Sequence, residues 1–539
     1  MDSLKTPTRN RQDSLDTTPP PDHPPRKRNL GAVFRALFLG AASGGLFALA
    51  FPLTGWFWLA WVALAPLFVA WRGSGFGRGG WSGFGFGLTL FLVGGTWLTA
   101  AGVVPWVILS LLIGGQFALF GLAARAILRR TPVVLHPLTF AALWVLIEWV
   151  RSLGGYAFPW FIAAASQAHN LPVLQIVSLT GQWGLSFVLA LCAALVGEAV
   201  LLLRHRSRMF IRSLALAVAV WGVTFGLGWL LLQQEENRPV VRENRRTVGV
   251  VQGSVLSIPP GADYASTVLL TYLDLTREAV LETGKPLDLL LWPEGVTPDN
   301  LLLDNYSLPP AVAVARSLQT PLLIGTTHEE NGLRFNTAVL LDRNGEVQGR
   351  YDKTHVVPVG EFFPLRSILN RIYLEYNVPE NDFAPGSLPN VLTVGRLSGG
   401  SDPAGVMICY DVAFPDEGRK GVRRGAQFWA QLTADTPFEE TNRPEQHADI
   451  TSLRTVETRR WMVRAALSGI SQVVDPTGRE VARLPLMARR TLVHEIELRN
   501  DLTLYVRWGN WFVWLCAIFV GMGLVLPRFL TPARQKTET

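Results

Sequence analysis

The sequence predicts a membrane-embedded α-helical bundle that carries a layered α/β domain between its last two spans. Three observations lead there. Of the 539 residues, 49% are hydrophobic and only 17% charged. The long apolar blocks bunch toward the two ends. The stretch between them breaks into short apolar runs that alternate with helical patterns, as strands and helices do in a layered domain. A chain this long also exceeds what one compact core usually holds.

Residues 1–29 are rich in Pro, Asp, Thr and Arg and lack periodicity, which reads as a disordered tail. The basic PPRKRN ahead of an apolar stretch suggests a signal peptide. That stretch, LGAVFRALFLGAASGGLFALAF, has no clear cleavage site and more apolar segments follow, which favours an uncleaved first span. Crossing about 30 Å of hydrocarbon takes roughly 20 helical residues. On that basis eight spans are expected near 31–50, 55–71, 82–101, 103–124, 134–151, 178–203, 213–232 and 508–528, the first seven within residues 30–235.

Orientation follows from Lys and Arg, which stay on the cytoplasmic side of short loops. Alternate loops hold Arg72 and Arg78, then Arg125, Arg129 and Arg130, then Arg204, Arg206, Arg208 and Arg212. The last tail, 529–539, follows Arg528 and adds Arg534 and Lys536. The opposite loops hold almost none, Arg151 excepted. Both termini are therefore expected in the cytoplasm and residues 240–505 outside it. The same distribution accounts for the formal charge of +7 without a nucleic-acid partner, since no single basic patch forms.

Within 240–505 the runs TVGVVQG, DLLLWPEG, PLLIGTT, NTAVLL, VLTVGRL, GVMICYD, AQFWAQLT, SGISQVVDP and TLVHEIEL read as strands. Arg343-Asn344-Gly345 marks a hairpin between two of them. Helical patterns fall near 263–283, 308–319, 413–424 and 445–466. In the bundle, Glu148 and Arg151 sit at i and i+3 and could pair on one face, for structure or for function. Phe158-Pro159-Trp160 fits an interfacial aromatic belt.

Cys192 and Cys516 lie in apolar segments, leaving Cys409 alone in the polar region. That excludes a disulfide framework and a cysteine-based metal site, and no cofactor or metal is expected. Cys409 follows the strand GVMI and is either a packed core side chain or a nucleophile. A nucleophile needs a base, because a free thiol of pKa about 8.5 is only a few per cent thiolate at neutral pH. It also needs a cation or N–H donors where an oxyanion forms. Glu294 leaves the strand DLLLW and Lys353 leaves EVQGRYD. Each alone reads equally as a solvated surface charge, but active sites of α/β domains assemble at strand exits.

In order and context, WPEG, YDKTH and ICYD resemble the Glu-Lys-Cys triad of the nitrilase superfamily. FNTAVLLDRNGEVQGRYDKTHVVPVGEFFP and SQVVDPTGRE resemble that superfamily's paired strands with lysine loop and its late strand and turn, so the resemblance covers 245–497. It implies an αββα sandwich. GFGFGLTLFLVGGTWL, ALWVLIEWVRSLGGYAFPW and LTGQWGLSFVL are similar to the membrane segments of its apolipoprotein N-acyltransferase branch, extending the resemblance from 31 to about 530.

The resemblance implies an enzyme of the bacterial inner membrane. Its catalytic residues would be Glu294, Lys353 and Cys409, with Glu361 orienting the charges, the Tyr410 N–H in the oxyanion hole and Asp411 in support. Asp411 stands where the family commonly has Glu. The implied reaction moves an acyl chain from a phospholipid, through a cysteine thioester, to the α-amine of a diacylglyceryl-modified apolipoprotein. A membrane-anchored amidase and a non-catalytic lipoprotein-binding protein are the alternatives. Two loops depart from the family: ADTPFEET replaces an Asn-Asp-x-Trp-Phe loop, and Leu467-Ser468-Gly469 replaces an Asn-Thr-Gly motif. A changed lid or substrate groove is expected from them.

Overall fold

The computed structural model describes residues 30–530 apart from 74, 204–207, 256–262, 298–299, 359 and 363–381. The expected tail at 1–29, Arg204 and Arg206, and the terminal Arg534 and Lys536 lie outside the described residues.

The bundle consists of Leu30–Ala48, Phe76–Gly94, Val103–Leu128, His136–Val150, Gln182–Leu203, Arg208–Glu236 and Trp511–Leu530, with shorter helices between them. Among the described residues, five helical stretches are long and apolar enough to cross a membrane: Leu30–Ala48, Val103–Leu128, Val133–Val150, Gln182–Leu203 and Arg208–Glu236. The expected count of eight is not reproduced. The span placed at 55–71 is broken into a 3-10 turn, Phe57–Trp61, and an eight-residue helix, Ala65–Arg72. A helix of that length reaches only about 12 Å. The span placed at 82–101 shifts to Phe76–Gly94 and is diluted by glycine. A Cβ at Gly83 would lie 2.0 Å from Phe117 O, so glycine there lets two helix backbones touch, as small residues do between membrane helices.

The α/β part is two six-stranded sheets stacked face to face. The first runs β12 (Arg490–Glu497), β1 (Arg245–Gln252), β2 (Leu289–Trp292), β3 (Leu322–Glu330), β4 (Leu333–Leu341), β5 (Val347–Asp352). The second runs β11 (Glu480–Arg483), β10 (Gln472–Val474), β9 (Met462–Ala466), β8 (Phe428–Thr433), β7 (Ser401–Ile408), β6 (Val391–Gly395). β1, β2 and β3 are parallel, as are β7, β8 and β9, and the remaining pairings are antiparallel. The hairpin at Asn344-Gly345 joins β4 to β5, with Gly345 at φ 77° and Asp342 Oδ1 accepting from Asn344 N and Glu346 N at 2.8 Å.

Inward side chains such as Val250, Leu291, Leu323, Leu340, Ile408, Leu432 and Val463 fill the space between the sheets, each buried aliphatic contributing about 1.5–3 kcal/mol. Helices Tyr264–Thr283 and Leu308–Leu318 cover the first sheet through a second core. Pro415–Arg423 and Arg443–Thr458 cover the other sheet. The expected helix at 445–466 overran: Arg459 takes a left-handed φ of 51° and ends it, and β9 follows. Helix Arg443–Thr458 is buried on both sides, because bundle residues such as Trp144, Trp160 and Trp183 share one core with Tyr410, Phe414, Ile450 and Leu453.

Candidate active site

Three strand exits meet at one end of the sandwich. Pro293, which has no N–H to extend the ladder, ends β2 and leaves Glu294 only 8% exposed. Gly325 on β3 makes room for this turn, since a Cβ there would stand 2.1 Å from Pro293 O and 2.6 Å from the Glu294 Cα. Lys353 follows β5 and is 1% exposed. Its Nζ donates to Glu361 Oε1 at 2.8 Å and to Glu294 Oε1 at 3.3 Å.

Burial alone would lower the Lys353 pKa, but the carboxylates of Glu294 and Glu361 reverse that and hold it well above the ordinary lysine value. The site lysine is thus a fixed cation. Asn336, on β4, donates to both carboxylates, at 2.7 Å to Glu294 Oε1 and 2.9 Å to Glu361 Oε1. Backbone N–H groups take the remaining oxygens: Ala434 N reaches Glu294 Oε2 and Val357 N reaches Glu361 Oε2, each at 2.7 Å. Two acids, one ammonium and one amide therefore form one hydrogen-bonded cluster, with two of the three ammonium N–H groups used within it.

Cys409 follows β7 and is 4% exposed, in a left-handed conformation of φ 46° that disfavours any side chain. Its Sγ lies 3.9 Å from Ala434 O. Burial first, and then Glu294, push the thiol up to about 11, against the pull of Lys353 and Arg443. At neutral pH only about one molecule in ten thousand would be thiolate, so chemistry at this sulfur needs a base that removes the proton during attack.

Tyr410 donates its hydroxyl to Ala157 O, in the bundle, at 3.1 Å. Asp411 accepts from Tyr351 Oη at 2.8 Å, His355 N at 2.9 Å and Ile408 N at 3.0 Å. It thus braces the turn around the cysteine. Its burial raises it to about 6.

The two departing loops support each other. The contact from position 434 to Glu294 comes from the backbone, so alanine supplies it. Ser468 Oγ donates to Glu439 Oε1 at 2.5 Å and Thr436 Oγ1 donates to the same oxygen at 2.8 Å. Gly469 passes close over Asp435, since a Cβ there would fall 2.3 Å from Asp435 Oδ2. Phe438 packs edge-on against Trp97 with ring centroids 5.4 Å apart, and Arg443 lies 4.6 Å over the Phe438 ring.

Four residues here are absent from the sequence reading as individual sites. Asn336 is a buried polar residue just before the apolar run of β4, which is the signal that could have found it. Asp435, His447 and Arg464 are fully buried and meet in one cluster, with Arg464 Nη2 within hydrogen-bond distance of both other side chains.

Two expectations in the bundle change. Among the described residues no ion pair joins Glu148 to Arg151. Glu148 Oε1 accepts from Trp144 Nε1 at 2.9 Å and Ala163 N at 2.8 Å, while Arg151 donates to Phe158 O and Trp160 O at 3.1 Å each. Both shape the segment that follows their helix. Trp160 is not in an interfacial belt: it is 4% exposed, stacked at 6.4 Å on Tyr410 and donating to Gln446 Oε1 at 2.8 Å.

A cavity of about 470 Å³ opens between the two parts, lined by Tyr156, Ala157, His355, Phe383, Tyr410 and Phe414 among others. Among the described residues, no group of three or more His, Cys, Asp or Glu side chains is placed to hold a metal ion.

Comparison with known proteins divides the chain at the same place. Residues 43–195 match the family described as apolipoprotein N-acyltransferase N-terminal domain, and residues 247–500 match carbon-nitrogen hydrolase. The apolipoprotein N-acyltransferase of Geobacter metallireducens is 30% identical over 502 residues, covering 89% of this chain and 93% of the relative. That of Azotobacter vinelandii is 31% identical over 513 residues, covering 91% and 95%. A solved amidase from Nesterenkonia sp. overlaps 52% of this chain and 98% of its own at 22% identity, with a TM-score of 0.37.

Proposed function

Because the chain belongs to the apolipoprotein N-acyltransferase family, we propose that it acylates lipoproteins through a thioester on Cys409. The donor is a membrane phospholipid, and the acceptor is the α-amine of a lipoprotein's N-terminal diacylglyceryl-cysteine. The observation that carries this reading is the bonded Glu294–Lys353–Glu361 cluster at the strand exit beside the cysteine.

In the first half, Glu294 takes the thiol proton as Cys409 Sγ bonds to the ester carbonyl carbon. The resulting oxyanion is held by the Lys353 ammonium and the Tyr410 N–H. Collapse breaks the ester C–O bond, and Glu294 returns the proton to the departing lysophospholipid alkoxide. In the second half, the lipoprotein amine attacks the thioester carbon and Glu294 accepts an N–H proton. The C–S bond then breaks, and the proton returns to the thiolate. Lys353 stays charged throughout, consistent with its raised pKa. Two carboxylates around one lysine let Glu294 act as base while Glu361 keeps the ammonium fixed.

Two features support a membrane setting for both substrates. The cavity beside Tyr410 opens between bundle and sandwich, and the positive charges of the short loops argue for a sandwich outside the cytoplasm. The test is an intact-mass measurement after incubation with phospholipid alone. Wild type should gain one fatty acyl group and Cys409→Ala should gain none. Wild type that makes N-acylated lipopeptide without ever carrying the adduct would refute the thioester route.

A further inference from the structure

The proposed oxyanion donor, Tyr410 N–H, belongs to the same peptide unit as Cys409 C=O. A peptide unit is planar and trans, so its C=O and N–H point in opposite directions. Whatever grips that carbonyl therefore aims the N–H. The grip comes from His447, whose Nε2 lies 3.1 Å from Cys409 O. A carbonyl oxygen only accepts, so Nε2 carries the proton.

The imidazole is itself held on the other side. Arg464 Nη2 stands 3.2 Å from Nδ1 and 3.0 Å from Asp435 Oδ2, and Asp435 Oδ1 lies 3.1 Å from Nδ1. Arg443 adds a contact to Asp435 Oδ1 at 3.2 Å. Arg464 thus supplies the donor that a neutral ring with a bare Nδ1 requires. Burial, then Arg464, lower the ring to about 4, which keeps it in that neutral form. From the bundle, Trp160 packs on the same ring at 5.9 Å and on Tyr410 at 6.4 Å. The neighbouring Gln446 donates to Gly94 O at 3.0 Å.

From this geometry we infer that His447 is a positioning residue for the acyl transfer: it orients the 409–410 peptide so that the Tyr410 N–H faces the developing oxyanion. It touches no reacting atom. The strained φ of Cys409 gives it something to do, because a turn in an unfavourable conformation needs an outside partner to stay in one orientation. A hydrogen bond to the carbonyl also polarises the peptide, making its N–H a stronger donor. The inference rests on the acyl-enzyme reading above.

Two amide substitutions in the full-length protein test it, because their reach differs. His447→Gln can place an amide nitrogen near Nε2 and still reach Cys409 O. His447→Asn can meet Asp435 and Arg464 but stops short of the carbonyl. Two rates are measured for each variant: single-turnover acylation of Cys409 by phospholipid, and alkylation of Cys409 by iodoacetamide, which forms no oxyanion. We expect His447→Asn to acylate about 10²-fold more slowly, the loss typical of one oxyanion donor, and His447→Gln to stay within about tenfold of wild type. Alkylation should be unchanged in both. Equal acylation by the two variants, or acylation and alkylation falling together, overturns the positioning role. Wild type that fails to acylate at all overturns instead the thioester route on which it rests.

Discussion

The two walls of the candidate site are built from different materials. The wall from the first sheet, Glu294, Asn336, Lys353 and Glu361, is a cluster of charge in which each group contacts another directly. The wall from the second sheet and its covering helix, Asp435, His447 and Arg464, makes its hydrogen bond to the nucleophile at the Cys409 backbone carbonyl, and the bundle packs against it through Trp160. In the proposed reaction one wall would supply proton movement and positive charge, and the other direction. Damage to the first should therefore remove the reaction, and damage to the second should slow it.

The largest effect is expected on the charged wall. Lys353→Met leaves two buried carboxylates without their cation and the oxyanion without its ammonium, and acyl transfer should fall by about 10³-fold or more. A variant retaining a tenth of wild-type kcat would erase the distinction between the walls. Asn336→Leu keeps all three charges but frees both acids from their shared donor. A loss of about 10- to 100-fold is expected, read as kcat with KM little changed.

On the directing wall, Gly469→Ala would drive a Cβ into the Asp435 carboxylate. It should lower stability by about 1–3 kcal/mol, as overpacking does, measured as thermal unfolding in detergent. Tyr410→Phe removes one hydrogen bond to Ala157, worth about 1 kcal/mol. A fall in kcat of no more than about fivefold should result.

The two walls also differ in pH dependence. The folded His447 value of about 4 lies below its ordinary 6.5, so between those values the unfolded chain binds a proton that the folded chain does not. The associated stability is present above pH 6.5 and is lost as pH falls toward 4. His447→Gln should flatten that part of the unfolding profile. Asp411 runs the opposite way, its value raised from 3.8 to about 6, and it is common to both proteins. A profile unchanged by the substitution would place the titration elsewhere.

What the sequence made legible follows the same division. Strand exits, the Asn-Gly hairpin and the three charged or nucleophilic residues at β2, β5 and β7 are written in local pattern, because strand period and turn chemistry are local. Helix Arg443–Thr458 reads as polar, and its His447, Arg454 and Glu457 look like surface residues until the bundle covers them. Trp160 looked like a belt residue for the same reason. The second expected span is interrupted where a 3-10 turn breaks an apolar run. The third shifted because glycine, which favours close helix contact, lowers the hydropathy by which spans are found.

The covered helix has a consequence for how the protein is made. Arg454 and Glu457, both fully buried and 2.9 Å apart, meet Gln182 of the bundle: Arg454 donates to its Oε1 at 2.6 Å, and its backbone N–H donates to Glu457 Oε1 at 2.7 Å. Arg459 donates to Gln175 Oε1 at 2.6 Å. Without its docking partner this face would leave apolar surface in water and lose its hydrogen bonds to Gln182 and Gln175. Synthesis proceeds from the N-terminus, so Gln175 and Gln182 precede this face in the chain, while Trp511–Leu530, whose Val513 and Cys516 join the same core, follows it and closes the seat last.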